Sequence, residues 1–343
     1  MIILYFTVLF LALYQCRFKR NGFYDDYIDK KQCNAIKGIF IMCVFISHVV
    51  PYLLQEDNPS SHWYNLTFSF INGNLGQLIV SSFLFYSGYG VFESIKNKGD
   101  EYVKRFPRKR ILNTLLNFDV AVLAFAFLNI LLNIKFTITQ FLLSLIAWES
   151  IYNSNWYIFC ILICYIFTYI VVYIFGKGKK AMWYLLGLTI LYILLLSFCK
   201  PTYWYSTILT YWGGCAFSFH KEQIDTFLKK RYFYSFSLLI ILFLLLHLFP
   251  EKSCFGIIYN CNSIVFAVVI VMITMKVKIS NMPLIWLGVH LFPIYIYQRI
   301  PMILFKRLEL FSIYDYKYTY IAICAIITIL IAELYRIIEI RIK

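Results

Sequence analysis

Residues 37–51 read Lys-Gly-Ile-Phe-Ile-Met-Cys-Val-Phe-Ile-Ser-His-Val-Val-Pro, an apolar stretch with one cation at its start and one histidine eleven positions later. Eleven steps of about 100° make slightly more than three turns of an α-helix, so Lys37 and His48 share a face roughly 16 Å apart. An ionisable group this deep in an apolar helix predicts a functional site, because lipid penalises it. The alternative is an interior histidine that hydrogen-bonds Ser47 or another helix and only holds the bundle together.

The composition of the whole chain is that of a membrane protein. Of its 343 residues 61% are hydrophobic, and the mean hydropathy is +0.71, whereas a soluble globular domain is about half apolar. Stretches of roughly 20 predominantly apolar residues recur from one end to the other. We therefore expect an all-α, polytopic bundle of transmembrane helices, with no room for a separate soluble domain.

The charges and cysteines exclude two other kinds of site. The net charge is +15, but the 32 lysines and arginines lie in short clusters between apolar stretches, as in loops that set membrane topology, so no nucleic-acid partner is expected. The ten cysteines lie mainly inside apolar stretches without zinc-ligand spacing, so no metal site is expected. Cys254 and Cys261 flank one short loop, and a disulfide between them depends on an oxidising compartment.

About eleven helices are predicted. The first sixteen residues are apolar and precede a positive cluster, which indicates an anchoring helix with its N-terminus outside rather than a cleaved signal. With the polar linker that follows, residues 1–35 are interpreted as an N-terminal anchor helix and cytoplasmic linker, and residues 36–343 as one ten-helix membrane domain. The ten spans predicted in that domain are residues 36–54, 68–92, 111–134, 156–175, 181–198, 203–219, 232–250, 257–275, 282–304 and 318–335.

The positive residues support this threading of the chain. When the helices alternate across the membrane from an outside N-terminus, 25 of the lysines and arginines fall on the cytoplasmic side and seven elsewhere. This asymmetry follows the positive-inside rule and predicts a cytoplasmic C-terminus. On the outer side, the apolar stretch 137–148 is too short to cross the membrane, so we expect a surface or re-entrant helix there. The polar 52–67 loop is either part of a substrate entry or an ordinary solvated loop.

Five motifs, in order over roughly residues 36–340, carry a resemblance to a known family. They are Lys37 and His48 with ten residues between them, the run Phe83-Leu84-Phe85-Tyr86-Ser87-Gly88-Tyr89, the basic segment Arg105-Phe106-Pro107-Arg108-Lys109-Arg110-Ile111-Leu112, the step Asn155-Trp156-Tyr157, and Gly-x-x-x-Phe-x-Ile-Tyr from Gly288 to Tyr295. The chain resembles the acyltransferase-3 family of integral-membrane O-acyltransferases, which modify sugars of envelope polysaccharides. Asn113 stands where the family often has a second arginine, and Gln298 where it often has a histidine.

The resemblance implies a ten-helix core with both ends cytoplasmic, in a bacterial-type inner membrane. It implies an enzyme that moves an acyl group, acetyl in the first instance, from cytoplasmic acyl-coenzyme A to a hydroxyl of a cell-envelope or exported polysaccharide. The expected partners are acyl-coenzyme A (acetyl-CoA) as donor substrate, a polysaccharide or lipid-linked glycan as acceptor, and the lipid bilayer. No permanently bound cofactor is expected.

Nine residues are assigned to this chemistry. His48 is the expected general base, because histidine titrates near physiological pH, and Lys37 is expected to clamp the donor's phosphates or polarise its thioester. The basic segment suits a phosphorylated anion, although loops on the positive side are basic whatever they bind. The residues expected to bind the donor are Arg105, Arg108 and Arg110. The residues expected to bind the acceptor are Asn155, Trp156, Gln298 and Arg299.

Other polar residues in the spans receive structural roles. Ser87 and Gly88 are predicted to form a close helix contact rather than a catalytic pair, because small residues let helix backbones approach. His247 and His290 are predicted to be structural, since neither shares a face with a cation. Asp119 is a second charge inside the membrane, with three candidate partners: His48, Lys37 and Arg110.

A competing interpretation is a membrane protein that transfers no acyl group. A polysaccharide transporter or flippase, or a polymerase of lipid-linked sugars, would also have ten or more spans and basic inner loops. Such a conduit for a polyanion would spread its cations through several helices. The sequence instead places one cation and one histidine on a single helix, and this favours the acyltransferase.

Overall fold

The computed structural model describes residues 2–53, 63–309 and 311–340. Most of the predicted 52–67 loop therefore lies outside the described residues. The regular secondary structure of the described part is helical apart from one pair of three-residue strands. This confirms the predicted all-α polytopic bundle.

The helices follow one another with short connections. The α-helices are α1 (Ile2–Leu13), α2 (Lys30–Val49), α3 (Trp63–Phe106), α4 (Asn113–Leu131), α5 (Ile138–Leu145), α6 (Trp156–Phe175), α7 (Lys179–Ser197), α8 (Leu209–Phe219), α9 (Lys221–Lys230), α10 (Tyr232–His247), α11 (Ile257–Lys276), α12 (Met282–Val289), α13 (Leu291–Tyr297), α14 (Arg299–Leu308) and α15 (Lys317–Ile338). A π-helical segment lies at Pro107–Leu112, and 3₁₀ turns lie at Val50–Leu53, Thr202–Trp204 and Ser253–Gly256. The strands are β1 (Cys16–Phe18) and β2 (Val277–Ile279).

Fewer of the predicted spans are long, uninterrupted helices than the sequence suggested. Six helical segments in the described ranges are long and apolar enough to cross a membrane, or seven if α9 and α10, bent by 103°, form one span. One of the six, Phe68–Leu131, runs through two predicted spans. Two other predicted spans are shorter as helices, since α1 has 12 residues and α8 has 11. The predicted short helix on the outer side is α5, with 8 residues.

The predicted span 282–304 is divided into three short helices. The breaks fall at His290, between α12 and α13, and at Gln298, between α13 and α14. Each break is followed three residues later by a proline, Pro293 or Pro301. A proline has no N–H to give to the carbonyl one turn earlier and its ring crowds that carbonyl, so the helix cannot continue straight. Helices interrupted at membrane depth usually line a cavity or a binding site.

Residues 96–110 lie between two predicted spans, and a basic cytoplasmic loop was expected there, but the structure makes this stretch helical. Helix α3 continues through it to Phe106 and bends at Gly99, whose φ of 60° and ψ of −148° only glycine adopts readily. From Pro107 the chain then forms a π-helical turn that leads into α4. Charged residues with good helix propensity form a helix beyond the bilayer as readily as a loop, and hydropathy does not distinguish the two.

Two pairs of helices meet backbone to backbone through glycines. A Cβ on Gly88 of α3 would overlap the backbone oxygen of Tyr211 in α8, and a Cβ on Gly214 of α8 would overlap that of Phe85 in α3. The predicted close contact at Gly88 is therefore confirmed. Small residues at such crossings let backbones approach where apolar area alone drives no association.

The second glycine crossing fixes α2, the helix of Lys37 and His48. A Cβ on Gly38 would overlap the backbone oxygen of Leu284 in α12, and a Cβ on Gly288 would overlap that of Asn34 in α2. Helix α12 is therefore locked to α2, and the interrupted segment that continues from it is held beside the same helix.

The polar linker before α2 is tied to the bundle. Strand β1 pairs antiparallel with β2, with Cys16 opposite Ile279 and Phe18 opposite Val277. Helix α2 then begins at Lys30, six residues before the predicted span, because the side chain of Asp29 caps it by accepting the backbone N–H of Gln32 at 2.7 Å.

Contacts among charged residues gather several predicted cytoplasmic segments at one end of the bundle, called here the basic end. Lys229 of α9 lies 3.2 Å from Asp25, and Lys96 of α3 donates to a carbonyl at the end of α8 at 2.9 Å. Lys278 of β2 donates to Asp26, and this hydrogen bond lowers the pKa of that carboxyl group. Segments predicted to share one side of the membrane thus lie together.

Candidate active site

His48 lies in the last turn of α2 and faces the break between α13 and α14. The amide nitrogen Nε2 of Gln298 lies 3.0 Å from Nδ1 of His48 and 3.3 Å from the backbone oxygen of Tyr295. Gln298 is fully buried, so water does not compete for these partners. The break at Gln298 therefore holds the imidazole of His48 from one side.

Two further side chains of the interrupted segment flank His48. The ring centroid of Tyr295 lies 6.3 Å from that of the imidazole. The charge of Arg299 is close enough to act on both groups, and its Nη2 lies 3.5 Å from the hydroxyl of Tyr52. No carboxylate pairs with Arg299 in the described part of the chain. The positive charge at this site is thus left for a ligand or a developing negative charge.

Two buried polar atoms beside His48 have no hydrogen-bond partner among the described residues. They are Oε1 of Gln298 and the hydroxyl of Tyr295, and both residues are at most 2% exposed. Buried polar groups in native proteins nearly always have partners. Two unpaired groups beside a histidine therefore mark a place where a polar ligand binds.

Asp119 does not join this site. Within the described ranges no hydrogen bond or ion pair links it to His48, Lys37 or Arg110, and its Oδ1 is buried without a partner. Asp119 therefore contacts none of its three candidate partners in the described ranges. His48 is held by an amide instead of a carboxylate, which leaves the imidazole without the neighbouring negative charge that would favour its protonated form.

Lys37 and Arg110 form a second part of the site, toward the basic end. The Nε of Arg110 donates to the hydroxyl of Tyr102 at 3.0 Å, and Lys37 Nζ lies 6.0 Å from the ring centre of Tyr86. The two cations are close enough to repel one another, and neither pairs with a carboxylate in the described ranges. Two half-buried, unneutralised cations predict a bound anion.

The three arginines of the basic segment do not act as one cluster. The π-helical turn that begins at Pro107 brings Arg110 into the bundle, whereas Arg105 and Arg108 are exposed. Arg105 pairs with Glu101 one turn earlier. Only Arg110 is placed beside Lys37, so the structure separates one arginine with a buried role from two at the surface.

The two residues of the Asn-Trp step make different kinds of contact. The Nδ2 of Asn155 donates to the backbone oxygen of Ala147 at 3.1 Å, so this amide holds the loop before α6. Trp156 is half-buried and its ring contacts Tyr157, whose own ring lies 5.4 Å from that of Tyr295. Trp156 is therefore connected to His48 through two intervening rings, and Asn155 is not.

The other membrane histidines have structural partners, as predicted. His247 lies between two amides, with Nε2 2.9 Å from Oδ1 of Asn74 and Nδ1 3.2 Å from Nδ2 of Asn262. His290 is buried, stacks on Trp286 at 4.0 Å and bonds the Trp286 backbone oxygen at 2.9 Å.

Tyr295 was not among the predicted site residues, although it ends the Gly288 to Tyr295 motif. The signal that could have found it is the spacing of Pro293 and Pro301, which predicts a helix interrupted between them. Tyr52 and Tyr102 carry no such signal, because their roles depend on contacts with Arg299 and Arg110.

Comparison with known proteins decides the family. A family model described as an acyltransferase domain, Acyl_transf_3, matches residues 30–335. The chain belongs to the acyltransferase-3 family. Searches of curated proteins and of solved structures gave no match.

The chain is therefore a multi-pass membrane acyltransferase. The family region begins at the first residue of α2, so α1 and β1 precede it and α2 to α15 form the region shared with the family. The match supports acyl transfer over the competing transporter, flippase or polymerase.

The contact with Gln298 sets the hydrogen-bonding state of the resting acyltransferase. An amide N–H that donates to Nδ1 leaves the proton of neutral imidazole on Nε2. If the amide turns by half a rotation, Oε1 accepts from Nδ1–H and Nε2 becomes the basic nitrogen. The backbone oxygen of Tyr295 favours the first orientation, because it accepts the second amide proton at 3.3 Å. The orientation of Gln298 thus determines whether His48 donates or accepts a proton at Nε2.

Proposed function

We propose that this acyltransferase moves an acyl group, acetyl in the first instance, from acyl-coenzyme A to a sugar hydroxyl of a cell-envelope or exported polysaccharide. One observation carries the proposal. Helix α2 bears Lys37, whose charge lies within electrostatic range of Arg110, and three turns later His48, which is held by a buried amide. The two cations can bind the phosphates of the donor, and the histidine can act as a base at the donor's thioester.

The donor binds from the basic end, which is the cytoplasmic side in the proposed topology. Lys37 and Arg110 hold phosphate oxygens, with Arg110 oriented by Tyr102. Coenzyme A carries its thioester at the end of a long, narrow arm. That arm runs along α2 from the cations toward His48, which lies roughly 16 Å further along the axis.

The transfer itself is one exchange of acyl partners. The acceptor hydroxyl oxygen attacks the thioester carbonyl carbon while its proton passes to Nε2 of His48, with Gln298 in the orientation that presents Oε1 to Nδ1–H. A new C–O bond forms, and the C–S bond then breaks. The sulfur leaves as thiolate and takes the proton from the imidazolium, so the histidine returns to its neutral form.

The acceptor approaches from the opposite side of a bacterial-type inner membrane. His48 lies near the end of α2 remote from the basic end, followed by the 3₁₀ turn Val50–Leu53. Arg299 and Trp156 lie on this side of the reaction centre and bind the acceptor, either a polysaccharide or a lipid-linked glycan. Asn155 contributes by holding the loop before α6.

Substitution of His48 by glutamine tests the proposal. Glutamine still donates and accepts hydrogen bonds but cannot act as a base at neutral pH. With purified protein, acetyl-coenzyme A and the cognate glycan, we expect turnover to fall by about a hundred- to ten-thousand-fold while donor binding is kept.

His247→Gln is the matched control, because His247 lies in a span between two amides and takes no part in the proposed reaction. It should fold and turn over like the wild type. Near-normal turnover in His48→Gln would overturn the proposed function, as would equal losses in both variants.

A further inference from the structure

The proposed function gives no role to the hydroxyl of Tyr295, which lies among the described groups beside His48. It is buried and has no hydrogen-bond partner among the described residues. The ring is fixed on two sides, by the imidazole of His48 at 6.3 Å and by the edge-on ring of Tyr157 at 5.4 Å. A fixed, unpaired O–H beside a catalytic base is placed to contact a substrate.

A helix N-terminus lies at the same point. Helix α6 begins at Trp156, and Asn155 before it makes no side-chain cap, because its amide bonds Ala147. The first-turn N–H groups of a helix have no partner within the helix, and together they carry a partial positive charge. The N–H of Tyr157, in this turn, lies near the Tyr295 oxygen without meeting hydrogen-bond geometry.

The hydroxyl of Tyr295 and the N-terminus of α6 both stabilise negative charge at the position of that hydroxyl. A hydroxyl whose oxygen faces backbone N–H groups keeps its own proton free to donate, and the guanidinium of Arg299 lies close enough to strengthen that donor. In acyl transfer the negative charge develops on the carbonyl oxygen of the thioester, next to the carbon that the acceptor attacks. That carbon must lie within reach of the histidine that takes the acceptor's proton.

We propose that the hydroxyl of Tyr295, at the N-terminus of α6, donates the hydrogen bond that stabilises this oxyanion. The inference rests on the proposed function, since it needs an acyl donor whose carbonyl oxygen reaches the hydroxyl of Tyr295 while its carbon lies near His48. During the attack the carbonyl double bond gives its electron pair to oxygen, which accepts the Tyr295 proton as a hydrogen bond without taking it. When the C–S bond breaks, the double bond re-forms and the hydrogen bond weakens.

Tyr295→Phe tests the proposal and has a matched control in Tyr297→Phe. The hydroxyl of Tyr297 is also buried and unpaired in the described part of the chain, on the same helix, but its ring packs on Tyr335 at 6.2 Å and not on His48. We expect kcat of Tyr295→Phe to fall by about a hundred- to a thousand-fold, the usual effect of removing one oxyanion donor, with the KM for acetyl-coenzyme A little changed. Tyr297→Phe should keep the wild-type kcat.

A spectroscopic measurement separates donation from packing. In the infrared difference spectrum of bound acetyl-coenzyme A labelled with ¹³C at the carbonyl, a hydrogen bond lowers the stretching frequency. We expect the frequency to rise in Tyr295→Phe and to stay unchanged in Tyr297→Phe. An unchanged frequency and kcat in Tyr295→Phe would overturn the inference, and with an inactive His48→Gln they would leave the proposed function standing. An acetyl group attached to Tyr295 would also overturn it, because the residue would then be a nucleophile.

Discussion

The side-chain amide of Gln298 donates to Nδ1 of His48 at 3.0 Å, across 250 residues of sequence. This bond joins the end of α2 to the break between α13 and α14. The imidazole is therefore oriented by a neutral group that can present either a donor or an acceptor, in a position where a carboxylate would only accept.

Removing this amide should impair catalysis more than binding. Gln298→Leu keeps the volume but leaves Nδ1 of His48 buried without a partner, which costs about 1–3 kcal/mol. We expect kcat to fall roughly ten- to hundred-fold and the KM for the donor to stay near its wild-type value. Gln298→His, which can donate and accept, should restore much of the rate. A Gln298→Leu enzyme with wild-type kcat would contradict the role of this contact.

The inward position of Arg110 predicts that the arginines of the basic segment are unequal. Arg110→Gln should weaken acetyl-coenzyme A binding roughly ten- to hundred-fold, the range for losing a hydrogen bond to a charged group. Arg110→Lys should recover only part of this, because a point charge replaces a planar fork. Arg105→Gln and Arg108→Gln are matched controls at exposed positions, where charges contribute little at physiological salt. Calorimetric titration of the purified variants measures the affinities, and equal losses in all three Gln variants would contradict the separation.

The glycine crossing of α3 and α8 predicts a position-specific loss of stability. Gly88→Ala places a methyl group onto the backbone oxygen of Tyr211, whereas Gly90→Ala, two residues further along α3, meets nothing within 4 Å. We expect Gly88→Ala to lower the free energy of unfolding by about 1–3 kcal/mol, because the helices must separate. Gly90→Ala should be neutral or slightly stabilising, since alanine favours a helix over glycine. Thermal unfolding in detergent compares the two, and a Gly90→Ala variant as unstable as Gly88→Ala would refute the close contact.

The topology predicts which exposed side chains a membrane-impermeant thiol reagent reaches. Lys98 and Lys135 are both exposed and lie in segments predicted to face opposite sides. In a background in which the exposed Cys199, Cys254 and Cys261 are serine, Lys135→Cys should be labelled from outside intact cells. Lys98→Cys should be labelled only after permeabilisation. Labelling of Lys98→Cys in intact cells would reverse the proposed orientation of the basic end.

Sequence reasoning reached the parts of this protein that depend on local pattern. The shared face of Lys37 and His48 follows from helix geometry, and the contact at Gly88 follows from residue size, so both could be predicted. The division of the 282–304 span could not be read from hydropathy, because a window average contains no information on the backbone N–H that Pro293 and Pro301 lack. The contact between Gln298 and His48 was also out of reach, since no local pattern encodes a pairing of such distant positions.

The basic segment shows a different reason for failure. Its charges were assigned correctly to one end of the bundle, but their directions depend on a π-helical turn that Pro107 begins. One extra residue in a turn rotates everything after it by about 100° relative to an α-helix. Arg108 and Arg110, two residues apart, point to nearly opposite faces of any helix, and the π-helical turn affects which of these faces enters the bundle. A count of positive residues does not contain this information.

The pairing of β1 with β2 has a consequence for the making of the protein. Residues 16–18 leave the ribosome more than 250 residues before their partners at 277–279, which at bacterial or eukaryotic synthesis rates is a delay of roughly a quarter of a minute to a minute. Strand β1 is therefore synthesised early and is among the last elements to be paired. A nascent chain that stops before residue 277 leaves the hydrogen-bonding groups of β1 unpaired and open to quality-control factors.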